Sequence, residues 1–361
     1  MSMQVSYKKQ ILFFTLLVFI VLLCVEGILR VYDPTLTQCN FINTSIDKEV
    51  RDKICREQNS LVFDPENGKI IEGTEDKITK INNYGFRGND IEFQKDKGTY
   101  RIFSVGGSTT FGSGVQDDET YPYFLQQIFH QNGFDKVEVI NAGVGGMWSY
   151  QEKNLIDRKI YDFEPDLIII YDGWNDVIRS SLEKDLENKI LNENREQFIY
   201  SGNEITQFLK NSQMLKAMNR IIVYQNDLVS YNNRTIATYD YSNSDMKIFE
   251  WKNRWIETCK ENPNVKFVVI LQPMAGSGEK KMTDLEKLWY VRYDNQGILR
   301  EFEKYNLALP EISQRCELVL DYRNIFDHVE NTIYIDNGHV LPLGNKILAG
   351  KIFDDVKYLV E

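Results

Sequence analysis

The sequence predicts an α/β protein of three layers, a five-stranded parallel sheet between helices, preceded by one transmembrane helix. Three observations predict it. From about residue 100 onward, five short apolar runs alternate with longer amphipathic segments. Polar or glycine-rich clusters follow the runs. Near the N-terminus, two lysines precede a long charge-free apolar stretch.

The elements follow in order. Lys8 and Lys9 precede "ILFFTLLVFIVLLCVEGIL", residues 11–29, in which residues 11–25 carry no charge and only Glu26 interrupts the rest. A stretch of this length, at about 1.5 Å per residue, roughly spans the ~30 Å hydrocarbon core of a bilayer. A cleaved signal peptide would want small residues at a cleavage site after the run. Cys24, Val25, Glu26 and Gly27 make a poor one, and no lipoprotein-type small-residue box precedes Cys24. The expectation is therefore an uncleaved anchor over 11–29, with residues 1–10 in the cytoplasm beside the positive charge and the rest of the chain outside. Residues 30–80 are polar and aperiodic and read as a stalk or cap, and residues 81–361 as the main domain.

Within that domain the runs are "RIFSV" 101–105, "VEVIN" 137–141, "DLIIIY" 166–171, "VKFVVIL" 265–271 and "ELVLDY" 317–322. Near-continuous hydrophobicity over so few residues suits strands buried on both faces. Segments such as "YPYFLQQIFHQNG", 121–133, read as helices that stop at glycine. Strands alternating with helices imply a parallel sheet with right-handed crossovers. The stretch 177–263 is too long for one crossover helix and predicts a helical insertion or lid.

Composition bounds the function. With 361 residues and 42% apolar content, the chain can bury a sizeable core. A formal net charge of −11 argues against nucleic acid as a partner, because phosphate binding needs basic surface. Outside the apolar span lie Cys39, Cys55, Cys259 and Cys316. An even number in an oxidising compartment suggests two disulfides, and pairing neighbours in sequence gives Cys39–Cys55 and Cys259–Cys316, against the alternative of four unrelated buried thiols. Sequons at Asn43-Thr44-Ser45 and Asn233-Arg234-Thr235 are compatible with export.

Chemistry gathers at the strand ends. The first run is followed by Gly106, Gly107 and Ser108, the second by "NAGVGGMWS" 141–149, the third by "DGWND" 172–176, the fourth by Gln272 and Pro273; "DNGH" 336–339 lies beyond the fifth. Open parallel sheets bind ligands beyond the carboxyl ends of their strands, so these clusters converge on one edge. Several readings fall away. No lysine follows the first glycines as a P-loop requires, and neither Gly112/Gly114 nor Gly143/Gly145 has the third glycine of a dinucleotide fingerprint. Thr110 stands where the last glycine of a G-x-S-x-G elbow belongs. His130, His328 and His339 offer no metal-site spacing, and no cofactor is expected. What remains is a serine with a base. Ser108 at a strand end is by itself an ordinary helix N-cap. Asp336 three residues before His339 changes the balance, since a nucleophilic serine needs a base and the base needs an acceptor on its other nitrogen.

The blocks resemble the SGNH hydrolases, also called GDSL-type esterases and lipases. Gly106-Gly107-Ser108-Thr109-Thr110 stands in place of Gly-Asp-Ser-Leu, as in a GGST branch of that family; "NAGVGGMWS", "GWND" and "DNGH" followed by "VLPLGNKILA" complete the series. "NNYGFRGND" 82–90 and "GVQDDETYP" 114–122 resemble the same branch. The likeness covers about residues 80–355 and implies a flavodoxin-like sheet of order 2-1-3-4-5. It implies Ser108 as nucleophile, His339 as general base and Asp336 as its orienting partner. It further implies an oxyanion hole from the Ser108 N–H, the Gly146 N–H and the Asn175 side-chain amide, with Gly143 and Gly145 close enough to leave the glycine open. The expected function is an ester hydrolase outside a membrane, acting on acyl or acetyl esters of lipids or surface glycans. An O-acetyltransferase using the same triad is the alternative, and a non-catalytic binding protein on this fold a third.

Overall fold

The computed structural model describes residues 6–32, 63–64, 69–70, 79–179, 241, 243–290 and 295–360. The Cys39–Cys55 pair, both sequons, most of the 30–80 segment and residues 180–240 of the insertion lie outside the described residues.

The apolar stretch forms helix α1, Tyr7–Tyr32. Its segment Tyr7–Ile28 is long and apolar enough to cross a membrane by length and composition. None of its large apolar side chains is buried; Leu12 is 67% and Phe14 68% exposed.

The main domain is organised by five strands: β1 Tyr100–Gly106, β2 Val137–Gly143, β3 Leu167–Asp172, β4 Lys266–Leu271 and β5 Leu318–Asp321. They lie in the order β2-β1-β3-β4-β5, all parallel. This is the expected 2-1-3-4-5 order, and each strand falls within two residues of its apolar run at either end. In register, Ser104 of β1 lies between Asn141 of β2 and Ile169 of β3. A separate antiparallel ladder pairs Phe63–Asp64 with Lys69–Ile70.

The runs are almost unbroken in hydrophobicity because both faces of the sheet are covered. Alternate residues enter two different cores. On one face Phe103, Val105, Ile168, Ile170, Val269 and Leu271 meet helices α4 (Ser149–Arg158), α6 (Ser244–Glu261) and α8 (Asn295–Ile312), through residues such as Ile156, Trp251, Trp255 and Phe302. On the other face Ile102, Leu167, Ile169, Tyr171, Val268 and Ile270 meet α3 (Tyr121–Gln131) and α9 (Pro342–Val356), through Leu125, Phe129, Ile352 and Phe353. Helix α3 starts where the sequence says it should: the Thr120 side chain accepts from the Tyr123 N–H, and Pro122 occupies the first turn.

Three shorter α-helices are α2 (Ser108–Phe111), α5 (Trp174–Ile178) and α7 (Asp284–Tyr290). Cys259 in the last turn of α6 is disulfide-bonded to Cys316, just before β5. That bond joins residues 57 positions apart and ties α6 to the start of β5. Helix α6 is the described part of the C-terminal end of the 177–263 stretch.

Candidate active site

Three hydroxyl residues follow β1, and the fold separates them. Ser108 is partly exposed, whereas Thr109 and Thr110 are buried. Thr110 Oγ1 faces the Tyr121 hydroxyl at 3.3 Å inside the protein. Only the serine reaches the surface of the sheet edge.

Both glycines before it are needed. Gly106 lies against the Thr110 hydroxyl and the Tyr171 carbonyl, so an added Cβ would collide with both. Gly107 lies against the Asn175 amide nitrogen, which a Cβ would displace. Asn175 thus occupies the space a side chain at 107 would take. Gly143 is similarly pinned, its missing Cβ facing the Thr110–Phe111 backbone.

Ser108 Oγ stands 2.7 Å from His339 Nε2. His339 Nδ1 stands 2.6 Å from Asp336 Oδ2. The other carboxylate oxygen of Asp336 accepts the backbone N–H groups of Gly338 and His339, each at 2.8 Å. Burial pushes the Asp336 carboxyl up, but the His339 ring and these N–H donors outweigh it and hold the group below the usual carboxylate range. An ionised Asp336 accepts only, so the His339 Nδ1 that faces it donates, and Nε2 is the ring nitrogen turned to the serine.

The Asp336–His339 turn sits on a loop beyond β5, and side chains support its backbone. Glu286 of α7 is fully buried; its Oε1 accepts the N–H groups of Ile333 (2.9 Å) and Tyr334 (3.1 Å). Its Oε2 accepts from Lys280 Nζ at 2.9 Å and from the Thr283 N–H at 2.8 Å. Burial alone would raise the Glu286 pKa, yet these donors bring it below the ordinary value. The turn is further fixed by Ile335 N–H to the His339 carbonyl, 3.0 Å, and by Ala275 N–H to the Asn337 carbonyl, 2.9 Å. Immediately afterwards Pro342 begins α9.

The second and third blocks are joined to each other. Asn175, in the first turn of α5, donates through Nδ2 to the Met147 carbonyl at 2.5 Å. The neighbouring Asp176 accepts the Ser149 N–H (2.9 Å) and the Ser149 hydroxyl (2.5 Å), locking α5 to the start of α4. Arg254 donates to the same Ser149 oxygen at 2.5 Å. Burial, reinforced by Asp172 and Asp176, pushes the adjoining Glu152 carboxyl well up. Within the second block, Gly145 and Gly146 are exposed, and Gly146 has a left-handed φ of 78°. The Gly143 N–H is committed to Asn141 Oδ1 at 3.0 Å.

The structure thus brings Ser108, His339 and Asp336 into one hydrogen-bonded chain and puts Asn175 against Gly107. Gly146 lies on the loop whose Met147 carbonyl holds Asn175. The sequence did not point to Glu286 or to the staple by Asp176. For Glu286 a signal existed: "TDLE", 283–286, is a capping box, with the Glu286 N–H near Thr283 Oγ1 at 3.4 Å.

A serine, a histidine and a carboxylate hydrogen-bonded in series at the carboxyl edge of a parallel α/β sheet form a site fitted to attack an acyl carbonyl. The model of the GDSL-like Lipase/Acylhydrolase family matches residues 104–288, and the chain belongs to that family. Similar solved structures include an acetyl xylan esterase, AlAXEase, at 15% identity, covering 71% of this chain and 99% of that one with a TM-score of 0.43. TesA is similar at 12% identity, 72% and 99% coverage and a TM-score of 0.43. A catalytic mutant of Axe2, an acetylxylan esterase from Geobacillus stearothermophilus, is similar at 14% identity, 73% and 96% coverage and a TM-score of 0.42. No curated protein sequence matches the chain.

Proposed function

We propose that the protein is a serine ester hydrolase that works through an acyl-enzyme on Ser108. The observation that carries the reading is the chain Asp336–His339–Ser108, with contacts of 2.6 and 2.7 Å. Ser108 Oγ attacks the ester carbonyl carbon as its proton passes to His339 Nε2. The carbonyl oxygen becomes an oxyanion, which accepts from the Ser108 N–H, the Gly146 N–H and the Asn175 amide. Asn175 has two N–H bonds, and only one is spent on Met147. Gly146 is preferred to Gly143 because the Gly143 N–H is already used within β2. Each such donor is worth about 3–4 kcal/mol in the transition state. The intermediate collapses, the C–O bond to the alcohol breaks, and His339 returns the proton to the departing oxygen. Water then attacks the acyl-enzyme with His339 as base, releasing the carboxylic acid and restoring Ser108.

In this reading α1 anchors the enzyme and the domain faces away from the cytoplasm. Lys8 and Lys9 before the span support that orientation, and the Cys259–Cys316 disulfide supports an oxidising compartment. The substrates are acyl or acetyl esters of lipids or surface glycans. Hydrolysis of p-nitrophenyl esters of increasing chain length, with and without glycan acceptors, tests the chemistry. Release of free acid is expected; acyl transfer to the glycan in preference to water would instead identify a transferase. Protease shaving of intact cells should remove the domain, and full protection would reject the orientation.

A further inference from the structure

The block "NNYGFRGND", 82–90, supplies no group to the reaction proposed above. Its arginine nevertheless reaches the nucleophile's helix from behind. Helix α2 is a single turn of four residues, and one turn of helix does not sustain itself. Something outside it must fix where its first residue, Ser108, stands.

Arg87 grips the other end of that turn. Its Nη1 donates to the carbonyls of Phe111 and Gly112, both at 2.8 Å. These are the last residue of α2 and its C-cap. Nη2 donates to the Val115 carbonyl at 2.7 Å, and Nε to Asp117 Oδ1 at 2.7 Å. The guanidinium carbon lies 4.7 Å from the centre of the Phe111 ring. The side chain is 1% exposed. The arginine is itself registered to the sheet, because its N–H donates to the Asn141 carbonyl at 3.0 Å on edge strand β2. Asn141 Nδ2 adds a bond to the Phe111 carbonyl at 3.2 Å. The other oxygen of Asp117 accepts the Lys80 N–H at 2.9 Å, so the partner carboxylate is held as well.

The loop leaves three carbonyls for one side chain to collect. Gly112 and Gly114 take φ of 90° and 91°, turning the chain sharply after α2. A planar fork with donors in several fixed directions can serve carbonyls 111, 112 and 115 and a carboxylate together, whereas a lysine offers one nitrogen. The Asp117 carboxylate balances the guanidinium charge, so the contribution to the site is geometric.

We infer that Arg87 is a positioning residue for the nucleophile: by holding the C-terminal carbonyls of α2 it sets Ser108 Oγ against His339 Nε2. The inference rests on the proposed role of Ser108. Its test uses the full-length chain in detergent, with p-nitrophenyl acetate as substrate and amide hydrogen exchange over residues 107–116. Arg87→Ala should lower kcat about ten- to a hundredfold, the scale of a small misplacement, with KM nearly unchanged. Millimolar methylguanidinium should restore part of that kcat and leave the wild type unaffected. Arg87→Lys should recover little, because it cannot rebuild the fork. Exchange over 107–116 should accelerate in Arg87→Ala while β3 and β4 stay protected. Asp117→Asn keeps all three carbonyl bonds but leaves the buried guanidinium without its carboxylate, so it should lose stability while its kcat stays within a few-fold of wild type. A folded Arg87→Ala with wild-type kcat, or with unaltered exchange over 107–116, would overturn the inference. If Arg87→Ala does not fold, the kcat–KM split is read on Arg87→Lys, where wild-type kcat overturns it equally. If the wild type and Ser108→Ala hydrolyse alike, it is the role of Ser108 that fails, and the exchange data still judge the clamp.

Discussion

The two halves of the site are built in opposite ways. Ser108, Asn175 and the loop of Gly145 and Gly146 stand at the ends of neighbouring strands, packed so closely that glycine is required at 106, 107 and 143. Asp336 and His339 stand on a loop well past β5, which ends at Asp321, and single side chains satisfy its backbone. The half that carries Ser108, the proposed nucleophile, is specified by what is absent, side chains that would not fit. The half that carries His339, the proposed base, is specified by what is present, chiefly one buried carboxylate on α7. The first half should therefore fail on additions and the second on deletions.

The largest effects come from removing the groups in which the halves meet. Ser108→Ala should lower ester hydrolysis by about 10³-fold or more while leaving the fold intact, and His339→Ala nearly as much, because triad members act as a unit. Steady-state rates with thermal melts would check both.

The next effect breaks the nucleophile half by addition. Gly107→Ala puts a Cβ where the Asn175 amide lies. It should cost about 10²–10³ in kcat, as Asn175→Ala should, if the amide serves the oxyanion. The double variant should be little worse than either single one, since both remove the same donor. Additive losses would mean that Gly107 acts on something other than Asn175.

The base half is broken by deletion. Glu286→Gln sets an amide against four donors and leaves buried Lys280 without a charge partner. Breaking a buried pair in this way costs about 3–5 kcal/mol, readable in urea unfolding. The same substitution at Glu303, largely exposed beside Arg323, should cost no more than about 1 kcal/mol.

The smallest effect is a pH dependence. Asp336 is held below the usual carboxylate range in the folded protein, so its contribution to stability is present above the unfolded value of about 3.9. It is lost as pH falls through the lower folded value. Wild type should therefore lose stability relative to Asp336→Asn as pH drops below about 4, and parallel melting curves for the two would contradict the assignment.

How much of this was legible in the sequence follows the same division. The five strands could be read because burial on both faces leaves an apolar run no polar phase, as in "LIIIYD" of β3. Ser108 could be told from Thr109 and Thr110 by its place directly after the glycine pair, and the fold buries the two threonines. Asp336 and His339 were legible because three residues bring a carboxylate to its own histidine. Close approaches between distant segments were not. Nothing in "GGS" says that the amide of Asn175 fills the space beside Gly107, and three glycines in "NAGVGG" look alike until Asn141 is seen to take the N–H of Gly143. "TDLE" announces a helix start, but the second oxygen of Glu286 serves residues 333 and 334, 47 and 48 positions later. Such bonds belong to the tertiary structure and leave no local pattern.

The central claim, that Ser108 is the covalent nucleophile, is tested most directly by a fluorophosphonate probe followed by peptide mapping. Treated full-length protein should carry one phosphonyl group on the peptide containing Ser108, at the serine oxygen. Ser108→Ala should carry none, and His339→Ala should label far more slowly, because the serine then has no base. A label on Thr109, Thr110 or another residue, or undiminished ester hydrolysis by Ser108→Ala, would contradict the account.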